Sequence, residues 1–194
     1  IMGGTFDPIH NGHLAIAQSV AEQLDFDRVL FIPTGNPNFK QDRKVTPGPA
    51  RAHMVKLAIK GHEHFELDTC EVDRAGITYT ADTLKELTER FPGTELYFIM
   101  GADSAATLVH WRRAEQVADL CHIVVVQRPG QSMEFVRAAL ESSPIAFSVR
   151  YVDVPQVDVS STDIRERVRR GDTIEDMLPR AVAEYLENNG LYKE

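Results

Sequence analysis

The sequence predicts an α/β fold: a doubly wound parallel sheet with helices on both faces and a small helical portion at the C-terminal end. Three observations predict it. Short apolar runs alternate with amphipathic segments of helical period along all 194 residues, the pattern of a parallel sheet covered by helices. Several of these runs are continuous rather than alternating, which marks strands buried on both sides. The first strand runs into a glycine-rich turn and a helix, the junction at which such a sheet presents its ligand.

The elements follow in order. Only Ile1 and Met2 precede Gly3, too few for a central strand of typical length, so residues are expected upstream of this numbering. A helix is predicted over residues 12–24, with Leu14, Ala17, Val20, Ala21 and Leu24 on one face. Residues 29–32 form a buried strand ended by Pro33. Residues 33–49 hold four prolines, two glycines, Lys40, Arg43 and Lys44, the composition of a long mobile binding loop or lid. A helix over 51–59 turns Met54, Val55, Ala58 and Ile59 inward. Residues 65–72 alternate as a strand, and 73–76 turn. Residues 80–90 form a helix with Thr80 as N-cap and Asp82 in the first turn.

A strand over 96–100 ends at Gly101, and helical residues 105–120 break near Trp111. A strand over 123–126, a helix over 133–140 and a strand over 149–154 follow. Helices over 162–170 and 179–188 close the chain, with Gly171 and Gly190 as C′ residues. No internal repeat or domain boundary is visible. A single domain is expected over 1–194, with the closing helices at about 160–194.

Hydrophobic residues make up 43% and charged residues 26%, an ordinary globular balance. The net charge of −8 disfavours wrapping a nucleic-acid backbone. A small anion can still be held where positive groups converge. No apolar run reaches the length of a membrane span, and no signal-peptide pattern is present. Cys70 and Cys121 are far apart and outside any Cys-x-x-Cys pair, which favours a reducing cytoplasm over a disulfide or zinc framework. The sequence is silent on oligomeric state, and a homo-oligomer stays open.

Gly3-Gly4-Thr5-Phe6-Asp7-Pro8-Ile9-His10-Asn11-Gly12-His13 carries the strongest chemical signal. Gly3 and Gly4 let backbone approach a ligand. His10 and His13 can face one anion at a helix start, where free N–H groups favour phosphate. An ordinary β–α turn explains neither both histidines nor the flanking Thr5 and Asp7. Ser160-Ser161-Thr162-Asp163-Ile164-Arg165 is the second signal. Its hydroxyls cap a helix start while Arg165 sits about one turn inside, within reach of the same anion.

Asp103, after Gly101-Ala102, can cap a helix, accept ribose hydroxyls, or both. Trp111, beside Arg112 and Arg113, reads as a core residue or as a stacking surface for a flat ring. His62-Glu63-His64 lacks a third ligand nearby and reads as a solvated loop rather than a metal site. Arg167, Arg169 and Arg170 read as a solvated helix face. No arrangement for covalent catalysis is visible.

Taken together these segments resemble the bacterial nicotinate mononucleotide adenylyltransferases, members of the Rossmann-like nucleotidyltransferase superfamily, over nearly the whole chain. Gly3 to His13 is similar to their first motif. Ile32-Pro33 with Pro37 and Lys40 resembles the loop after their second strand. Thr78-Tyr79-Thr80-Ala81-Asp82-Thr83-Leu84 is similar to their Ser-Tyr-Thr-x-Asp-Thr-Leu segment. Gly101-x-Asp103, Trp111, Arg128-Pro129-Gly130 and the Ser160–Arg165 stretch follow in family order. One departure stands out: where the family commonly has Pro-Pro-His-Lys, this chain reads Pro37-Asn38-Phe39-Lys40.

The resemblance implies adenylyl transfer from ATP to nicotinate mononucleotide, with Mg²⁺ on the ATP phosphates, in NAD biosynthesis. By the same resemblance His10, His13, Lys40 and Arg165 serve the reacting phosphates. Gly3, Gly4, Thr5, Phe6, Gly101, Asp103, Ser161 and Thr162 join them around ATP. Thr80, Asp103, Trp111 and Arg112 hold the mononucleotide: Trp111 stacks on the pyridine, and backbone N–H groups at Thr80 and Arg112 take its carboxylate. The nucleophile is an anionic phosphate oxygen, so no general base is needed; alignment and charge stabilisation suffice. The alternatives are a related adenylyltransferase for nicotinamide mononucleotide or phosphopantetheine, and a non-catalytic nucleotide sensor.

Overall fold

The computed structural model describes residues 1–35, 45–127 and 132–193. Six strands form one sheet: β1 (Met2–Gly4), β2 (Val29–Pro33), β3 (Phe65–Leu67), β4 (Tyr97–Gly101), β5 (His122–Gln127) and β6 (Val149–Asp153). Their order is β3-β2-β1-β4-β5-β6, and every neighbouring pair is parallel. The chain winds outward from β1 to β3, then returns to lay β4 beside β1. That reversal of direction opens a crevice beyond the carboxyl ends of β1 and β4.

Strand pleating sorts the core into two layers. Phe31, Ile99, Val124 and Val126 face α1 (Asn11–Leu24), α2 (Gly48–Ala58), α8 (Ser161–Arg170) and α9 (Arg180–Asn188). Leu30, Ile32, Phe98, Met100, Ile123 and Val125 face the other way. They meet Leu84 and Leu87 of α4 (Thr80–Arg90), Val117 of α6 (Ala114–Leu120), and Val136 and Leu140 of α7 (Glu134–Glu141). All five residues of β2 are buried, as its continuous apolar run requires. Each buried Leu or Ile contributes about 1.5–3 kcal/mol.

The closing helices carry their expected signals. The Ser160 hydroxyl accepts the Asp163 N–H at 3.1 Å and caps α8. Gly171, at φ 76°, ends it. Its N–H reaches Val168 O and the Asp172 N–H reaches Arg167 O, the paired bonds of a Schellman stop.

Other boundaries moved for local reasons. The strand expected over 65–72 stops at Leu67, because the Asp68 carboxylate takes the Cys70 N–H at 3.0 Å and turns the chain into α3 (Cys70–Asp73). Buried Asp68 is also paired with Arg90 at 2.8 Å. The second helix begins earlier than expected, at Gly48, with proline in its first turn, where a missing N–H costs nothing. The N-cap of α4 is Tyr79 rather than Thr80, and that of α5 (Ala102–Ala106) is Gly101 rather than Asp103. The single broken helix expected over 105–120 is three pieces: α5, a 3₁₀ turn at Leu108–His110, and α6. Arg113 opens α6 from the left-handed region, at φ 59°.

Candidate active site

A cleft of about 440 Å³ occupies the crevice at the reversal point. Of the residues singled out from sequence, it brings together Gly3, Gly4, Thr5, His13, Thr80, Gly101, Asp103 and Trp111. Thr34, Glu71, Thr78 and Ser104 also line it. His10, Phe6, Ser161, Thr162, Arg165 and Arg112 are not on its wall; the first five build or flank the loop beside it. Lys40, Phe39 and Arg128-Pro129-Gly130 lie outside the described residues, as does most of the expected lid.

The loop after β1 is held in an uncommon shape. Phe6 sits at φ 49°, a backbone state that a bulky residue keeps only when its surroundings fix it. Its ring is buried against Phe31 and meets the His13 ring edge-on at 5.0 Å. A Cβ on Gly4 would lie 3.0 Å from that ring, and one on Gly12 would lie 3.0 Å from His10 Nδ1. These glycines therefore admit the side chains that shape the loop.

His10 is the N-cap of α1. Its backbone N–H donates to His13 Nδ1 at 3.2 Å, so that nitrogen is the acceptor and the proton of neutral His13 sits on Nε2. The two imidazoles stack with centroids 3.7 Å apart. His10 is buried while His13 lines the cleft. The pair thus orients one donor nitrogen at a helix N-terminus, beside backbone that already favours an anion.

The N-terminus of α8 docks on the same loop. Ser161 Oγ donates to Pro8 O at 2.8 Å, and Arg165 donates to Asp7 O at 2.8 Å and to Thr162 Oγ1 at 3.0 Å. Arg167 and Arg170 pair along the helix with Asp163 and Glu166, as a solvated face would.

Across the cleft, Trp111 lies edge-on to Phe98 at 6.1 Å. The Arg112 guanidinium lies over the Tyr79 ring, 5.0 Å from its centroid. Arg113 grips Asp82 with two bonds, 2.7 and 2.5 Å. That pairing holds the Asp82 carboxyl below its usual range. His62 stacks on Phe65, and His64 Nδ1 lies 3.0 Å from Asp27 O. Among the described residues no group of three or more His, Cys, Asp or Glu could hold a metal ion. Burial pushes both Cys70 and Cys121 thiols up to about 12, which leaves them poor nucleophiles.

Sequence reasoning missed three supporting residues. Arg51, fully buried, donates to Thr5 O, Thr34 O, Gly35 O and Thr46 O at 2.6–3.0 Å, joining the loops after β1 and β2. Burial pulls its pKa down, offset in part by the nearby carboxylate of Asp7. A lone Arg on an inward helical face was the available signal. Glu71 accepts Thr83 Oγ1 at 2.8 Å, and burial raises its pKa. Tyr192 donates to Asp7 Oδ1 at 2.6 Å across 185 positions, a contact no local pattern announces.

A larger hollow of about 830 Å³ lies between α8 and α9. Its lining includes Asp172, Glu175, Glu184 and Glu187 against Arg180 and Lys193, a balance ill suited to a polyanion, and it holds no motif residue.

A glycine loop and helix start at the reversal point of a six-stranded parallel sheet define an α/β protein built to receive an anion at that point. The chain belongs to the cytidylyltransferase-like family, whose family model matches residues 1–167. Within it, a relative from Dehalococcoides mccartyi is 44% identical over 194 residues, covering 99% of this chain and 95% of its own length. One from Desulfitobacterium hafniense is 44% identical over 195 residues, covering 100% and 94%. Both are named probable nicotinate-nucleotide adenylyltransferase. Among solved structures, Plasmodium falciparum nicotinic acid mononucleotide adenylyltransferase complexed with NaAD superposes with a TM-score of 0.80 at 20% identity. That match covers 99% of this chain and 95% of the other, and at this identity it bears on the fold.

Proposed function

We propose that this chain transfers the adenylyl group of ATP to nicotinate mononucleotide, giving nicotinate adenine dinucleotide and pyrophosphate for NAD biosynthesis. The observation that carries the reading is the cleft itself: the His13 donor and glycine loop stand on one side, and Thr80 and Trp111 on the other. Relatives at 44% identity over almost the whole chain bear the matching name.

In this reading the backbone of Gly3, Gly4 and Thr5, with His10, His13, Ser161, Thr162 and Arg165, receives the ATP phosphates. Asp103 accepts ribose hydroxyls. Trp111 stacks on the pyridine, while backbone N–H groups of Thr80 and Arg112 take the carboxylate. The mononucleotide phosphate oxygen attacks the α-phosphorus, and pyrophosphate leaves. No proton has to be removed from the nucleophile, so the chain's work is alignment and offsetting charge on the leaving group. Mg²⁺ is commonly held by substrate phosphates and one or two carboxylates; among the described residues Asp103 and Glu71 are the carboxylates that line this cleft. An ion carried on ATP would neutralise its phosphates there.

The test is incubation of the purified protein with ATP, Mg²⁺ and each of nicotinate mononucleotide, nicotinamide mononucleotide and phosphopantetheine. The expected result is pyrophosphate and nicotinate adenine dinucleotide in equal amounts. Turnover of phosphopantetheine alone, or of nothing, would overturn the assignment.

A further inference from the structure

Recognition of a carboxylate by two backbone segments depends on how far apart those segments stand. Thr80 opens α4, and Arg112 lies in the turn between the 3₁₀ segment and α6. The segments come from different helices, and backbone donors cannot adjust as a side chain can. Something has to fix their separation.

One contact spans the two. Asp82, in the first turn of α4, receives both guanidinium arms of Arg113, at 2.7 and 2.5 Å. A two-pronged bond of this kind fixes tilt as well as distance. Arg113 is the residue immediately after Arg112, and its backbone is left-handed at φ 59°, so its side chain projects from a constrained point. Both arginines also lie against the Tyr79 ring, Arg113 at 5.7 Å and Arg112 at 5.0 Å, and Tyr79 is the N-cap of α4. The pair itself is partly exposed, with 36% of the Arg113 side chain and 40% of the Asp82 side chain open to solvent, so its value lies in its two-pronged geometry rather than in stability.

We propose that the Asp82–Arg113 pair is a positioning clamp for substrate choice: it sets the spacing of the backbone donors at Thr80 and Arg112 so that they accept a carboxylate and reject a carboxamide. The inference rests on the functional reading above. It predicts a defect confined to the mononucleotide side of the cleft, since the partners of the pair are each other and Tyr79. The pair has a second effect of a different kind: Arg113 cancels an acidic charge in the first turn of α4 that would otherwise repel the substrate's carboxylate.

Steady-state kinetics on three proteins separate the two effects. In the wild type, the ratio of kcat/KM for nicotinate over nicotinamide mononucleotide is the reference. Arg113→Gln is expected to lower that ratio by about tenfold, chiefly through KM, with the KM for ATP within about twofold. Arg113→Gln combined with Asp82→Asn removes the uncovered charge as well. If the pair acts as a clamp, the double variant stays low, because the donors remain unfixed. Full recovery of the ratio in the double variant would show charge cancellation alone and overturn the clamp. An unchanged ratio in Arg113→Gln, or an equal rise in the KM for ATP, would overturn it too. Circular dichroism and thermal midpoints confirm that each variant is folded. A wild type that turns over neither mononucleotide fails the functional reading itself; a selective wild type with indifferent variants fails only the clamp.

Discussion

At the scale of single residues, the site was legible where chemistry is written in local spacing. The interval between His10 and His13 predicts two imidazoles sharing a helix start, and the structure stacks the two rings there at 3.7 Å. His13→Ala removes the donor nitrogen but leaves the buried ring of Phe6 in place. Turnover is expected to fall by about 10²-fold or more, with a thermal midpoint close to that of the wild type. Near-normal turnover in the folded variant would remove the phosphate role.

Trp111→Ala is expected to raise the KM for both mononucleotides by about tenfold or more, the scale of one lost ring stack. A change for one mononucleotide only would contradict stacking. Glu71 was illegible because its partners are distant: Thr83 reaches it from the next helix. Burial raises its pKa above the ordinary 4.5. The folded state therefore holds this proton more tightly than the unfolded chain. That contribution is complete below the ordinary value and is lost as pH rises through the raised one. Urea midpoints measured against pH should show a shallower decline above pH 4.5 in Glu71→Gln than in the wild type. Parallel curves would deny Glu71 that part.

At the scale of elements, pattern located helices and strands well and their edges less well. Continuous runs gave β2 and β5 because full burial needs no alternation. The strand expected over 65–72 failed because one carboxylate, Asp68, captured a backbone N–H where periodicity still read as extended. Thr80 looked like a cap because caps favour hydroxyls, yet Tyr79 occupies that place. The docking of α8 on the loop after β1 follows from its cap. Ser160→Ala removes the bond to the Asp163 N–H and is expected to cost about 1 kcal/mol of stability, read from urea denaturation. No loss would show that water replaces the cap at no net cost.

At the scale of the whole molecule, winding order decides where chemistry can happen. Laying β4 beside β1 brings residues near position 3 against residues near position 101. The alternation of elements made that sheet legible. What it could not show is how the ends of the chain meet. Tyr192 donates its phenol to buried Asp7, and Thr46 Oγ1 donates to Tyr192 at 3.3 Å. Burial, together with that bond to Asp7, pushes the phenol's pKa well up. The C-terminal segment thereby braces the loop that carries the histidines. Contacts of this range depend on the assembled fold rather than on neighbours in sequence.

In the proposed function, backbone donors read the pyridine carboxylate. Donors alone suit a carboxylate, while a carboxamide turns its own N–H toward at least one of them. The mismatch is worth roughly 2–4 kcal/mol, or about 30- to 1,000-fold. The most direct measurement is the wild-type kcat/KM for nicotinate and nicotinamide mononucleotides, side by side at saturating Mg²⁺-ATP. A preference for the nicotinate form within that range is the predicted result. Equal efficiency on the two, or a preference for the nicotinamide form, would rule out carboxylate reading by backbone donors.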